Sequence, residues 1–295
     1  MKICRYNIYC AEDLSMTVKI IVDSACDIPQ RQGEELGIKI LPLRYLLGEE
    51  EYLDGVTISN TEFYEKLEGS DLFPKTSQIT PYQYEKAFEE ALEEYDEVLC
   101  MTMSSGVSGC YQSARMGRED FDDKVLVFDS RHFCFSYTVL VKYAVMLRDQ
   151  GLNASEIYAK LTAALEKVRI IAAFDTLEYL KKGGRISGTA SAIGTMLGIK
   201  PIITITDGKV DVLKLVRGTK KSYIEVDRYM AKGGEIDLDM PFVCGYTGTS
   251  SLRTDNFMEE YGNRYFNKEV EELVVGTTVG SYAGPKAFAL AYFVK

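Results

Sequence analysis

The chain has one histidine, His132, in 295 residues. A single imidazole excludes a metal site built on two histidines, and it leaves a Ser-His-Asp arrangement only one candidate base. Beside Phe133 and Phe135, His132 reads first as an ordinary polar residue next to an aromatic cluster. There is no CxxC pair. The seven cysteines are odd in number, and several sit inside apolar runs. This is the pattern of reduced thiols in a cytoplasmic protein. Positive charge is also short: 34 Lys and Arg face 44 Asp and Glu, for a net charge of −10. That argues against nucleic acid as a partner and leaves at most a transient contact with a membrane. No apolar run reaches the roughly eighteen residues of a membrane span. The first fifteen residues, MKICRYNIYCAEDLS, lack the apolar core of a signal peptide. Residues 1–16 therefore read as an N-terminal extension ahead of the first strand. Internal repeats and low-complexity segments are missing as well.

What is present describes a globular α/β chain. Apolar residues make up 46% and charged residues 26%, and the length suggests two domains, each with its own core. The run VKIIV at 18–22 is continuous, β-branched and closed by Asp23-Ser24, as a buried parallel strand would be. Similar runs recur at 38–43, 97–103 and 124–128. Helical patterns fall between them, starting near Pro29, Thr61, Pro81, Cys110 and Phe135. Thr80-Pro81 has the cap and first-turn proline of a helix start. Arg44 to Gly48 reads as a continuation of the second strand, and KTSQIT at 75–80 as a polar loop. A further helix is expected over 154–168.

Strand and helix alternate through residue 168. That order predicts an N-terminal three-layer domain, 17–168, with a parallel sheet covered by helices. Beyond it the pattern changes. A strand at 169–174 is followed by a hairpin, 202–206 and 210–216, turned by Asp207-Gly208. Helices over 219–231 and 250–261 and strands at 242–247 and 272–275 complete a C-terminal domain, 169–295, with mixed or antiparallel pairing. The apolar run 287–293 reads as a last, buried helix.

Ligands of open α/β sheets bind outside the carboxyl ends of the strands. Asp23, Ser24, Ser104, Ser105, Asp129 and Ser130 should therefore gather on one edge. Ser104-Ser105-Gly-Val-Ser-Gly lies between a strand and a helix. It is neither GxSxG nor GxxxxGK[ST]. By itself it reads equally as helix capping or as a cradle of hydroxyls and N–H groups for an anion. Thr76 and Ser77 could add hydroxyls to the same edge. Asp23 and Asp129 lack the spacing of a metal site and are expected to hold loop backbone.

The stretch from Leu177 to Pro201 is the most informative. A helical pattern ends at Lys181-Lys182-Gly183-Gly184, where lysines suit the negative helix end and glycine suits a left-handed cap. Arg185 follows. Residues 188–197 then form a run of small and apolar residues without charge, expected to be a buried helix. One arginine thus stands at the mouth of a greasy element, as a site for an anionic head and an apolar tail would need.

Taken together, IIVDSACDIP, KTSQITP, MTMSSGVSGCYQSA, VFDSR, LEYLKKGGRISG, IITITDGKV followed by RGTKK, and GSYAGPKAFALAYF resemble the DegV family over nearly the whole chain from Val18. Members of that family include the fatty-acid-binding subunits of bacterial fatty acid kinase. The resemblance implies one long-chain fatty acid in a tunnel between two domains. It places Thr76 and Ser105 at the carboxylate, and Ser77, Ser104 and Tyr282 complete the expected ligand-binding set. It also implies that Arg185 helps present the acyl group to a separate kinase subunit that uses ATP, and that the acyl phosphate feeds phospholipid synthesis. On this reading the chain is a carrier with no cofactor, no metal and no catalytic residue of its own. The family's last motif usually reads GTHTGPG. Here Tyr282 stands in the histidine's position and Lys286 in that of a glycine. A tyrosine hydroxyl donates one hydrogen bond but is neutral at pH 7. Two other readings stay open from the sequence: an acyl hydrolase using Ser105 with Tyr282 or His132, and a lipid-binding protein without a kinase.

Overall fold

The computed structural model describes residues 17–69, 72–186 and 198–295. The N-terminal extension and the uncharged run at 188–197 lie outside the described residues.

Three sheets organise the chain. The first is parallel, with order β2-β1-β6-β7. Its strands are β1 (Val18–Asp23), β2 (Lys39–Leu41), β6 (Glu97–Thr102) and β7 (Val125–Asp129). β1 and β6 are buried on nearly every residue, so their side chains face packed neighbours on both sides. That is why they read as unbroken apolar runs. The helices α3 (Pro81–Leu92), α4 (Cys110–Gly117) and α6 (Ala154–Ala164) cover this sheet. Thr80 and Gln83 form a reciprocal capping box at the start of α3, with Pro81 in its first turn.

The second sheet has six strands in the order β10-β9-β8-β13-β11-β12. They are β8 (Val168–Ala173), β9 (Ile199–Thr206), β10 (Lys209–Arg217), β11 (Val243–Tyr246), β12 (Glu271–Val274) and β13 (Phe288–Phe293). Only the β11–β12 pair is parallel. The β9–β10 hairpin turns at Asp207 and Gly208, both at positive φ (48° and 75°), as a two-residue turn of primed type requires. One face of this sheet packs on α8 (Thr219–Lys232) and α9 (Leu252–Tyr261), around Tyr223, Phe257 and Phe288. The other face packs on α5 (Phe135–Asp149), which also touches β1. α5 is thus enclosed between two sheets, and its apolar surface runs almost all round.

Three expectations from the sequence are corrected here. The run 287–293 is not a helix. It is β13, paired on both edges and buried on all six residues. A short apolar run has no usable period, so periodicity cannot separate a central strand from a buried helix. Arg44 to Gly48 does not prolong β2. The chain leaves the parallel sheet at Leu43, and β3 (Arg44–Leu47) joins β4 (Glu50–Leu53) and β5 (Lys75–Ser77) in a third, antiparallel sheet. KTSQIT is accordingly a strand in its first half. Tyr45 and Leu47 face inward against Phe63, Tyr64 and Leu67 of α2 (Asn60–Glu68), which gives this small sheet its own apolar cluster.

Two short helices complete the description needed for the site. α7 spans Glu178–Gly183 and α10 spans Thr277–Ala283. α1 (Gln30–Glu35) lies beside β2.

Candidate functional site

Tyr282 sits on α10, and the helix is fixed from its N-terminal end. The carboxylate of Asp54 accepts hydrogen bonds from Thr277 N (2.9 Å), Thr277 Oγ1 (2.8 Å) and Thr278 N (3.3 Å). Asp27 accepts from Gly276 N at 2.8 Å. These amides are otherwise orphaned at a helix start, and the carboxyl oxygens satisfy them. Both aspartates are buried. Burial pushes the Asp27 carboxyl up to about 8 and that of Asp23 up to about 7. Asp23 holds loop backbone, accepting from Met103 N at 2.7 Å and Ala25 N at 3.2 Å.

So anchored, α10 carries Tyr282 to β5. The hydroxyls of Tyr282 and Thr76 lie 2.5 Å apart. Thr76 is held opposite Tyr45 in the β3–β5 ladder. α7 closes over the ring from the other side. Gly184 takes the left-handed cap (φ 68°), as the double glycine foretells. Gly183 serves a different purpose: a Cβ there would stand 2.2 Å from Tyr282 Cδ1. Only a glycine lets α7 lie this close to the ring. Arg185 then folds back, donates to Gly183 O at 2.6 Å and places its guanidinium 4.8 Å from the Tyr282 ring centroid, within cation–π range.

These residues border a cavity of about 200 Å³. Thr76, Ser77, Arg185 and Tyr282 all line it. Gln78, Ser108 and Thr278 line it too, although none of the three was singled out from the sequence. The loops after β6 and β7 supply Met103, Ser108 and Phe133 to its wall, so the cavity does lie outside the carboxyl ends of the parallel strands. Phe133 and Val279 also border a second cavity, an apolar slot of about 40 Å³ between the start of α5 and the six-stranded sheet. Ile170, Ala172, Phe174 and Ala283 form its sides.

Ser104 and Ser105 are not brought to this cavity. Ser104, 1% exposed, donates to Gly208 O at 2.7 Å and so braces the β9–β10 turn. Ser105 donates to Asp129 Oδ2 at 2.5 Å, and its amide to Oδ1 at 3.1 Å. Each hydroxyl proton has a partner inside the protein, because β7 ends one strand away with an aspartate. Nor do the parts of a hydrolase meet. His132 is buried and does not line the cavity, and desolvation pushes its imidazole down to about 4. No group of three or more His, Cys, Asp or Glu able to hold a metal occurs among the described residues. No helix there is long and apolar enough to cross a membrane.

A sequence model of the DegV family, described as an uncharacterised protein family, matches residues 17–295. The chain belongs to the DegV family. A DegV domain-containing protein of Caldanaerobacter subterraneus subsp. tengcongensis is 33% identical over 275 residues, covering 92% of this chain and 96% of the relative. Among solved structures, a fatty-acid-binding DegV family protein from Thermus thermophilus superposes with a TM-score of 0.85 at 29% identity, covering 95% of this chain and all of the other. The Fak B3 protein of the Streptococcus pneumoniae fatty acid kinase, loaded with linoleic acid, superposes with a TM-score of 0.81 over 95% of this chain and all of the other. At 22% identity, that second likeness is one of fold.

Proposed function

We propose that this DegV protein binds a long-chain fatty acid, head group at the Thr76–Tyr282 hydroxyl pair and tail directed along the cavity toward the apolar slot beyond Phe133 and Val279, and offers the carboxyl group to a separate ATP-dependent kinase. The observation that carries the reading is the pair of facing hydroxyls, 2.5 Å apart, in a cavity that shares Phe133 and Val279 with an apolar slot. Desolvating a chain of about sixteen carbons contributes on the order of 10 kcal/mol, at about 0.8 kcal/mol per methylene. Ordering the chain and the protein takes back part of that. Tail burial therefore supplies the affinity, and a few hydroxyls suffice to fix the head.

The Thermus thermophilus protein, similar over nearly the whole chain, is a fatty-acid binder, which supports the ligand class. Support for a kinase partner is narrower. It comes from the family resemblance and from Arg185, which is exposed at the cavity mouth. On this reading the chain is a carrier of the substrate and leaves the phosphoryl transfer to its partner.

Native mass spectrometry of the protein as purified tests the proposal. A mass increment that matches a fatty acid and vanishes on delipidation is the expected result. A ligand-free protein that takes up no added palmitate or oleate would refute it.

A further inference from the structure

The cavity is poor in charge. Of the polar side chains that line it among the described residues, Thr76, Ser77, Gln78, Ser108, Thr278 and Tyr282 are neutral, and only Arg185 is charged. Arg185 is exposed, already donates to Gly183 O, and lies against the Tyr282 ring. Its charge belongs to the mouth and to water. The run 187–197, which begins two positions after Arg185, contains no Asp, Glu, Lys, Arg or His, so its sequence offers no countercharge either.

The hydrogen-bonding capacity is also of a definite kind. Thr76 and Tyr282 share one proton between their oxygens. That leaves the pair one further donor, together with acceptor lone pairs. Thr278, 3% exposed, lines the same cavity, and its Oγ1 has no hydrogen-bond partner. A hydroxyl so placed can donate or accept. An ionised carboxylate only accepts, and burying it without a countercharge is costly. A protonated carboxyl, a primary amide or an alcohol both donates and accepts, and it carries no charge to desolvate.

We infer that the cavity recognises long-chain amphiphiles by an uncharged head that both donates and accepts hydrogen bonds, so that primary fatty amides are ligands alongside the fatty acid in its protonated form. The inference rests on the reading that the cavity and slot hold an acyl chain.

The test uses the full-length, delipidated protein and three probes that share one tail: dodecanoic acid, dodecanamide and dodecyl sulfate. Binding is measured by titration calorimetry at about pH 8, where the free acid is ionised. Dodecanamide is expected to bind at least as tightly as dodecanoic acid. Dodecyl sulfate, a permanent anion, should bind roughly tenfold more weakly than the amide or worse. Arg185→Ala is expected to change the affinity for the acid and for the amide alike, by no more than about fivefold. The inference is overturned if both anions bind some tenfold tighter than the amide. A tenfold loss of acid binding in Arg185→Ala, with amide binding unchanged, would overturn it too, since Arg185 would then be the missing countercharge. Failure of all three probes to bind would remove the acyl-chain reading along with it, and so is distinguishable from failure of the head-group inference alone.

Discussion

The hydroxyls of Thr76 and Tyr282 meet at 2.5 Å although 206 positions separate them in the chain. One comes from an edge strand of the small sheet and the other from a seven-residue helix. If this pair holds the head group, Tyr282→Phe should weaken fatty-acid binding about fivefold, the equivalent of about 1 kcal/mol for one hydrogen bond. Thr76→Val should do the same. The double variant should be little worse than either single one, because the two groups act through one contact. Titration with a labelled fatty acid reads all three. Full additivity of two large losses would show that the hydroxyls act separately.

Ser105 offers the opposite expectation. Its hydroxyl is engaged by Asp129, so Ser105→Ala should alter fatty-acid affinity by less than about twofold while lowering stability by about 1 kcal/mol. A loss of binding as large as that of Tyr282→Phe would mean that the loop turns its hydroxyl inward when the ligand is bound.

Gly183→Ala tests the packing of α7 on the ring. The added methyl would overlap Tyr282 Cδ1, at 2.2 Å, and push the ring off its place. Binding should fall at least as far as in Tyr282→Phe. Gly184→Ala, where φ is 68° and nothing lies within 4 Å of the added atom, should cost about 1 kcal/mol of stability through backbone strain and leave binding nearly untouched. Reversal of these two effects would refute the contact.

For Arg185 the expected split is between binding and transfer. Arg185→Ala should keep lipid affinity within about fivefold, because a solvated cation–π contact is worth only about 0.5–1 kcal/mol. Acyl phosphate formation with a fatty acid kinase should drop by about tenfold or more if the guanidinium meets the partner or the transferring phosphoryl group. Parallel loss of both activities would deny the residue a separate role in presentation.

Stability should fall with rising pH across the neutral range. Asp27 holds its proton up to about 8 in the folded protein and Asp23 up to about 7, whereas an unfolded chain releases both near pH 4. Between these limits the folded state binds more protons, so raising the pH favours unfolding. Their contribution is complete below about pH 4 and gone above about pH 8. His132, pushed down to about 4, gives the opposite slope, but only up to its unfolded value of about 6.5. Asp27→Asn should therefore flatten the decline between about pH 6.5 and 8, as read from urea midpoints. An unchanged slope there would show that Asp27 is already ionised.

The parallel sheet was legible because β1, β6 and β7 are buried on both faces and so are spelled as solid apolar runs. The Asp207-Gly208 turn and the Thr80-Pro81 helix start were legible because left-handed φ values and capping each restrict residue choice. Phe288–Phe293 misled for the same reason that β1 could be read: a doubly buried segment loses its period, and only its neighbours in space decide between strand and helix. Lys75–Ser77 was hidden by polarity, since an edge strand shows one face to water. In the site, Tyr282 and Arg185 could be picked out through their motifs. The departure of Ser105 toward Asp129 could not, because it depends on which strand lies next to β6. Thr278 left no mark at all: a threonine in a helix looks the same whether its hydroxyl is satisfied or stranded.

The anchoring of α10 constrains how a guest can come and go. Gly276, Thr277 and Thr278 all hand their amide protons to Asp27 and Asp54, which belong to the opposite end of the sequence. Prising the mixed sheet away from the parallel one would strip those carboxyls of their donors with no water yet in place. A hinge that opens like a book is thus the expensive route. If a fatty acid is the guest, threading lengthwise past Arg185, tail foremost, would leave every one of those bonds intact and make the fold a sheath rather than a clamp.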